Sequence, residues 1–334
     1  MNLRSPLALV FTSILLLAGC GGGTGGPGGG GGGGGGHPFN GSFVAFGTGF
    51  MHTMDLTNNG DWIQKISTPT SYAVPYVDRS TNDLYVATLN AESPMFITTY
   101  SLSTFGQTNR ITWPQTEELW RVEQFAVAPG GRYMAARITG IGPDFLEILD
   151  AENDAILLTL NNFELESNIL WTSDMRLVLA IEDPDSLPEG VHGAIIAIPL
   201  AEIMDPGEQL DGEILMAFDE ARWGPWGPGY LALAPDDSRL AYELDGDIWV
   251  KTIGDDSAAV QLTTGPTGND GPTFSPDGNY VAFVGGRYLS GADTMIVPAE
   301  ADAPYFVDLD SPGGTEAYVL NTRSLVDGIL AWLP

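Results

Sequence analysis

Gly271-Pro272-Thr273-Phe274-Ser275-Pro276-Asp277-Gly278-Asn279-Tyr280-Val281-Ala282-Phe283-Val284 reads as a short strand, a Ser-Pro-Asp-Gly turn and a second strand. Pro276 presets φ at about −65° for the first corner, Asp277 can accept hydrogen bonds from the backbone that follows it, and Gly278 takes φ > 0 without steric cost. Beyond the turn, Tyr280, Ala282 and Val284 face one way while Val281 and Phe283 face the other. Both faces are apolar, so the strand must be covered on both sides.

Weaker copies of this unit run through the chain. Its second strand recurs as Val44-Ala45-Phe46, Val86-Ala87-Thr88, Met134-Ala135-Ala136, Val178-Leu179-Ala180, Leu240-Ala241-Tyr242 and Val281-Ala282-Phe283. The middle residue is Ala except at Leu179, as expected where strands crowd toward a centre. The preceding turn recurs as Pro129-Gly130-Gly131, Ser173-Asp174-Met175 and Pro235-Asp236-Asp237, with Asp78 to Asp83 a longer version. The interval from Ser173 to Pro235 is the widest, and insertions are expected at Glu182 to Gly193 and Leu200 to Gly212. Third strands are expected at Met54 to Leu56, Ile97 to Leu102, Leu146 to Leu149, Ile195 to Ile198, Ile248 to Ile253 and Met295 to Val297. Fourth strands are expected at Trp62 to Ile66, Arg110 to Trp113, Ile156 to Leu160, Ile214 to Phe218, Val260 to Leu262 and Tyr305 to Leu309. Four short strands per unit, repeated, is the pattern of a β-propeller. The first copy lacks a first strand, and Ile329-Leu330-Ala331-Trp332-Leu333 at the other end of the sequence supplies one. The expected fold is therefore all-β: a six-bladed β-propeller of four-stranded blades over residues 41–334, its ring closed where the C-terminal strand joins the N-terminal blade.

Phe274-Ser275-Pro276-Asp277-Gly278, with Tyr280-Val281-Ala282-Phe283 after it and Leu262-Thr263 before it, resembles the WD40-like repeats of the TolB-type six-bladed propellers. The likeness is closest over residues 230–300 and looser over 124–180. It implies a propeller working among proteins of the bacterial envelope. The extra N-terminal domain that accompanies the propeller in that family is not expected here, so the specific role tied to it does not carry over.

The N-terminus gives the address. Arg4 precedes the apolar run Leu7 to Leu17, which is too short to span a bilayer, and small residues follow. The end of this segment, Leu17-Ala18-Gly19-Cys20, resembles the lipobox of bacterial lipoproteins, which implies a signal peptide over 1–19 and lipidation of Cys20. Acyl chains there would make the membrane a partner through the N-terminal lipid. Residues 20–40 are expected to form the lipidated cysteine and a glycine-rich tether, of which the 21–36 part has a root-mean-square span of about 20–24 Å as a flexible coil. Gly21 after the cysteine points, by the same resemblance, to the outer membrane of a Gram-negative cell, on its periplasmic or surface face. Cys20 is the one cysteine, so with it lipidated the exported body has no disulfide and must rely on packing.

Composition narrows the partners. Forty-three Asp and Glu against 13 Lys and Arg give a net charge of −30. Such a surface repels phosphate backbones, and no nucleic-acid partner is expected. A protein of the envelope or an extracellular ligand is the expected partner.

The chemistry-bearing residue types do not assemble into a catalytic signature. A peptidase that used a propeller as its cap would need a Gly-x-Ser-x-Gly elbow, which the sequence lacks. The histidines are His37, His52 and His192, too few for a His-rich metal site. Asp183/Asp185, Asp245/Asp247 and Asp308/Asp310 have oxygens suited to Ca²⁺, but none has an EF-hand spacing, and Asp245-Gly246-Asp247 suits a tight hairpin. No metal and no cofactor is expected. Arg222-Trp223-Gly224-Pro225-Trp226-Gly227-Pro228-Gly229-Tyr230 is the most unusual loop. Trp223, Trp226 and Tyr230 on its stiff backbone are the candidate partner-binding residues, unless their rings fill the contact between blades. The expected function is a non-catalytic, membrane-tethered protein-binding or scaffolding module. The alternative is a hydrolase or lyase acting on glycan or peptide through carboxylates in the central channel, for which raised carboxyl pKa values at the channel mouth would be the mark.

Overall fold

The computed structural model describes residues 39–47, 50–56, 63–67, 73–90, 93–114, 121–139, 145–161, 167–182, 187–205, 212–223, 227–286, 293–308, 317–320 and 328–334. The expected signal segment, Cys20, the expected glycine-rich tether up to residue 38, His37, Asp183, Asp185, Trp226 and Asp310 lie outside these residues.

The strands follow the expected unit blade after blade. Blade 1 holds β1 (Ser42–Gly47), β2 (Phe50–Asp55) and β3 (Ile63–Ser67), and blade 2 holds β4 (Ala73–Asp78), β5 (Asp83–Asn90), β6 (Ser93–Ser101) and β7 (Gln107–Thr112). Blade 3 is β8 (Arg121–Val127), β9 (Tyr133–Thr139), β10 (Phe145–Asp150) and β11 (Ala155–Asn161). Blade 4 is β12 (Leu170–Trp171), β13 (Arg176–Glu182), β14 (Gly193–Pro199) and, after the short helix α1 (Leu200–Met204), β15 (Glu213–Phe218). The single helical turn α2 (Glu220–Trp223) leads to blade 5, formed by β16 (Gly229–Leu233), β17 (Arg239–Leu244), β18 (Asp247–Thr252) and β19 (Val260–Gln261). A linking strand β20 (Thr263–Thr264) precedes β21 (Asn269–Phe274), β22 (Tyr280–Gly285) and β23 (Asp293–Pro298) of blade 6. The chain then runs through β24 (Tyr305–Phe306), β25 (Tyr318–Leu320) and β26 (Gly328–Leu333). Six four-stranded antiparallel sheets result, and their first strands β26, β4, β8, β12, β16 and β21 contact one another around the axis.

Closure is made by β26, which pairs antiparallel with β1 in the register Ser42↔Leu333, Phe43↔Trp332 and Val44↔Ala331, with a bulge before Ala45↔Ile329. Trp332 is buried against Phe43, with centroids 4.9 Å apart, and its Nε1–H donates to Asn40 O at 2.9 Å. Phe39 joins the same cluster, edge-on to Tyr280, Tyr318 and Trp332.

The turn between first and second strands is built as its chemistry requires. Ser275 Oγ donates to Asp277 Oδ1 at 2.6 Å, the Tyr280 N–H donates to Ser275 Oγ at 2.9 Å, and the Asn279 N–H donates to Asp277 Oδ1 at 3.0 Å. Gly278 takes φ +73°, and the same left-handed corner falls on Asn82, Gly131, Met175 and Asp237 in the other described turns. The middle residues of the second strands, Ala45, Ala87, Ala135, Leu179, Ala241 and Ala282, are all buried. Between blades lie apolar layers such as Phe274, Val281, Phe283, Met295 and Val297 with Ala234, Ala241 and Val250.

One expected strand is placed otherwise. Tyr305–Phe306 does not form the outer strand of blade 6; it pairs parallel with Thr263–Thr264 in the link from blade 5, and the outer position is taken by Tyr318–Leu320. The Tyr305 N–H donates to Leu262 O and the Val307 N–H to Thr264 O, while Val307 and Leu262 are both fully buried. Gly265, at φ +135°, lets the two backbones meet: a Cβ there would stand about 2.2 Å from Val307 O. Burying Val307 against the blade 5 link outweighs its place in the outer edge of blade 6, where side chains are half-solvated.

Candidate functional site

The loop that carries the candidate aromatics joins blade 4 to blade 5. Asp219 starts it: its Oδ1 accepts the Arg222 N–H at 2.8 Å and its carbonyl the Trp223 N–H at 2.9 Å, which winds residues 220–223 into α2. The Gly227 N–H donates back to Trp223 O at 3.0 Å, and Gly227 at φ +60° turns the chain into β16.

Trp223 is 1% exposed. Its ring meets Phe218 edge-on at 5.5 Å and His192 at 6.5 Å, and it lies so close over Gly193 that a Cβ there would be about 2.4 Å from ring carbons. Its Nε1–H donates to Glu182 Oε2 at 3.2 Å, and Glu182 Oε1 accepts His192 Nε2–H at 2.8 Å. Trp223 therefore belongs to the layer between blades 4 and 5, with Val178, Ala180, Leu231, Leu240 and Tyr242. The ring is held by a carboxylate and a histidine that sequence reading did not connect to it; the signal was an acidic residue closing β13 and a histidine opening β14, one on each side of a hairpin. Tyr230, at the start of the inner strand β16, is 43% exposed on the same end of the ring. Trp226 lies outside the described residues. The structure thus separates the candidates: Trp223 is inside and Tyr230 is at the rim.

Below Tyr230 the inner strands are clamped together. Asn168, ahead of β12, donates through Nδ2 to Leu231 O at 3.0 Å and accepts the Leu231 N–H on its Oδ1, tying blade 4 to blade 5 by backbone contacts. At the opposite end of the ring, the Ser173 N–H donates to Asp237 Oδ2 at 2.6 Å and Arg239 Nη2 donates to Gly278 O at 2.6 Å. The rim residues are carried on a frame braced at both ends.

Two described carboxyls have pKa values raised by burial, Glu147 and Asp247. They stand on the third strands of separate blades. Glu147 on β10 accepts Trp113 Nε1–H at 2.8 Å, and Asp247 at the start of β18 accepts Gln261 Nε2–H at 2.9 Å and Thr263 Oγ1–H at 3.2 Å. The Asp245-Gly246 pair takes φ 56° and 80° and forms the tight hairpin between β17 and β18. His52, on β2, is buried, and burial lowers its pKa. Among the described residues, no group of three or more His, Cys, Asp or Glu side chains is arranged to hold a metal ion.

TolB from Acinetobacter baumannii superposes on this chain with a TM-score of 0.55 at 13% sequence identity, over 88% of this chain and 67% of that one. A chain of the nidogen/laminin complex superposes with a TM-score of 0.52 at 14% identity, over 83% of this chain and 96% of that one. No protein-family model matches the sequence, and no curated protein matches it. At such identities the likeness speaks for the fold alone, and the fold is a six-bladed β-propeller similar to that of TolB.

Proposed function

We propose that this chain is a lipid-anchored protein of the cell envelope whose propeller is a non-catalytic module for binding or scaffolding another protein. The anchor is read from the lipobox-like Leu17-Ala18-Gly19-Cys20 and the glycine-rich stretch after it, which would hold the propeller a short way off the membrane, the outer membrane in a Gram-negative host. The observation that carries the binding role is the rim between blades 4 and 5. Tyr230 presents an exposed aromatic ring on the braced inner strand, directly after the Gly/Pro-rich loop that bears Trp226. Rigid aromatic groups on a preorganised frame lose little entropy on binding, which is why they anchor interfaces. A propeller of similar fold was crystallised in the nidogen/laminin complex, so this architecture is compatible with protein recognition. In this reading the partner engages Trp226 and Tyr230, while Trp223 holds the loop in place from beneath.

Affinity capture from envelope extracts tests the reading, with the full lipidated chain in detergent as bait. One stoichiometric protein is expected, and Tyr230→Ala is expected to weaken its capture at least tenfold while melting as the wild type does, since surface substitutions shift stability by within about 0.5 kcal/mol. Trp223→Ala is expected to cost about 3–5 kcal/mol, as for other large buried aromatics. Capture of nothing, or capture indifferent to Tyr230 and Trp226, defeats the proposal. Cys20→Ser is expected to abolish acyl labelling and release the protein from the membrane fraction; retention there would remove the anchor.

A further inference from the structure

The turn after β4 sends Arg79 to the axis of the ring. Its Nη2 donates to Thr273 Oγ1 at 2.5 Å, although Thr273 belongs to β21 of blade 6 and Arg79 to blade 2, with blade 1 between them. Tyr76, on β4, occupies the same space. Burial raises its phenol pKa, as do the charges of Asp78 and of Asp237, and Asp237 lies in the turn of blade 5, opposite blade 2 across the ring. Side chains of blades 2, 5 and 6 can approach each other only at the centre. Arg79, Tyr76 and Thr273 therefore meet at the axis, at the end where the first-to-second strand turns gather, with the charge of Asp237 felt at Tyr76.

Among the described residues the guanidinium has no ion-pair partner. Asp78 spends its oxygens on the Ser80 N–H, Ser80 Oγ–H and Thr81 Oγ1–H, at 2.8, 2.6 and 3.1 Å. Asp237 accepts from the Ser173 backbone. Among the described residues no carboxylate forms an ion pair with Arg79, and its hydrogen-bond partner is a neutral hydroxyl. Of its five N–H donors in a planar fork, one is taken by a described residue. Desolvation lowers the Arg79 pKa, as expected for a half-buried cation without a counter-charge beside it. Carboxylates are not scarce in a chain with 43 of them, so a half-buried arginine with none among the described residues stands out. As a strut between blades 2 and 6 it would need only a neutral donor, whereas a partly desolvated charge without a counter-ion is costly.

We propose that Arg79, flanked by Tyr76 and Thr273, is a receptor for a single carboxylate entering the axial channel. The fork of the guanidinium matches the two oxygens of a carboxylate. One cation, inside a chain of net charge −30, suits a monoanion better than a phosphate dianion. The carboxylate can come from a free small acid or from the C-terminus of a peptide chain. The site stands independently of the rim: it can hold whether or not a protein docks at Tyr230.

Isothermal titration calorimetry on the full lipidated chain in detergent, at constant ionic strength, tests this with sodium acetate, acetyl-triglycine and the C-terminal amide of the same peptide. Acetate or the peptide acid is expected to bind saturably and the amide not to bind. Arg79→Gln is expected to weaken binding at least tenfold while the protein still melts cooperatively. Should Arg79→Gln not fold, Arg79→Lys, which keeps the charge and loses the fork, is expected to weaken binding by about tenfold. Tighter binding of the peptide acid identifies a chain terminus as the ligand, and binding of acetate alone identifies a small acid. Absence of binding by both acids, equal binding of acid and amide, or affinity unchanged in the folded Arg79 variant overturns the proposal.

Discussion

Glu147 shows what a single side chain can settle inside a blade. It is 6% exposed on β10 and accepts one hydrogen bond, from Trp113 of the preceding blade. Burial raises its pKa against the pull of that bond. A carboxyl with a raised folded-state pKa binds its proton more tightly when folded, so stability falls as pH rises above the unfolded value of about 4.3 and through the folded one. Glu147→Gln keeps an acceptor for Trp113 and removes the charge. Melting curves are expected to show the variant more stable than the wild type at pH 8, with the advantage gone below about pH 4. A variant less stable at pH 8 would mean that the ionised carboxylate contributes more through Trp113 than its burial costs. Trp113 and Glu147 are both plain in the sequence, but their meeting is not, because it depends on how blades 2 and 3 are rotated against each other.

At the scale of the element, the strand-turn-strand unit was the most legible feature, because its determinants are neighbours in sequence. A side-chain oxygen on the residue just before the left-handed corner, as on Asp277 before Gly278, a residue tolerant of φ > 0 and an alternating apolar strand need no distant partner. Gly278 tests this. Alanine there must hold φ +73° and place its Cβ 3.0 Å from Arg239 Nη2. Gly278→Ala is expected to cost about 1–2 kcal/mol in denaturant unfolding, the ordinary penalty of a left-handed non-glycine residue. A neutral substitution would show that the corner relaxes. The outer strand of blade 6 was less legible. Tyr305–Phe306 has the pattern of a strand and is one, but its partner is β20 of the preceding link, a choice made by the burial of Val307. Likewise, the loop aromatics Trp223 and Tyr230 look alike in sequence. Burial on Gly193 and the bond to Glu182 decide that one is packing and the other rim.

For the whole molecule, closure is the controlling event. Until β26 takes its place, β1 presents an open edge, and Phe39, Phe43 and Trp332 cannot bury one another. Removal of residues 328–334 is expected to leave a chain that aggregates and loses its cooperative melting transition, whereas Trp332→Ala is expected to fold with a loss of about 3–5 kcal/mol. A truncated chain that stays monomeric and melts as the wild type does would show that the ring is stable unclosed. The ring also creates the only surroundings in which residues from blades 2, 5 and 6 converge, which is why the Arg79 site emerges at this scale and at no smaller one.

The sequence by itself determined the repeated unit, the number of blades and the partnership of residues 329–333 with 43–46, because each rests on local turn chemistry, period-2 alternation or a missing strand that one segment can supply. Only the tertiary structure decided which aromatics are buried, which segment completes blade 6 and which cation of blade 2 reaches across to blade 6. Those outcomes depend on side chains far apart in the chain being brought together by the rotation of one blade against the next, and no local pattern records that rotation.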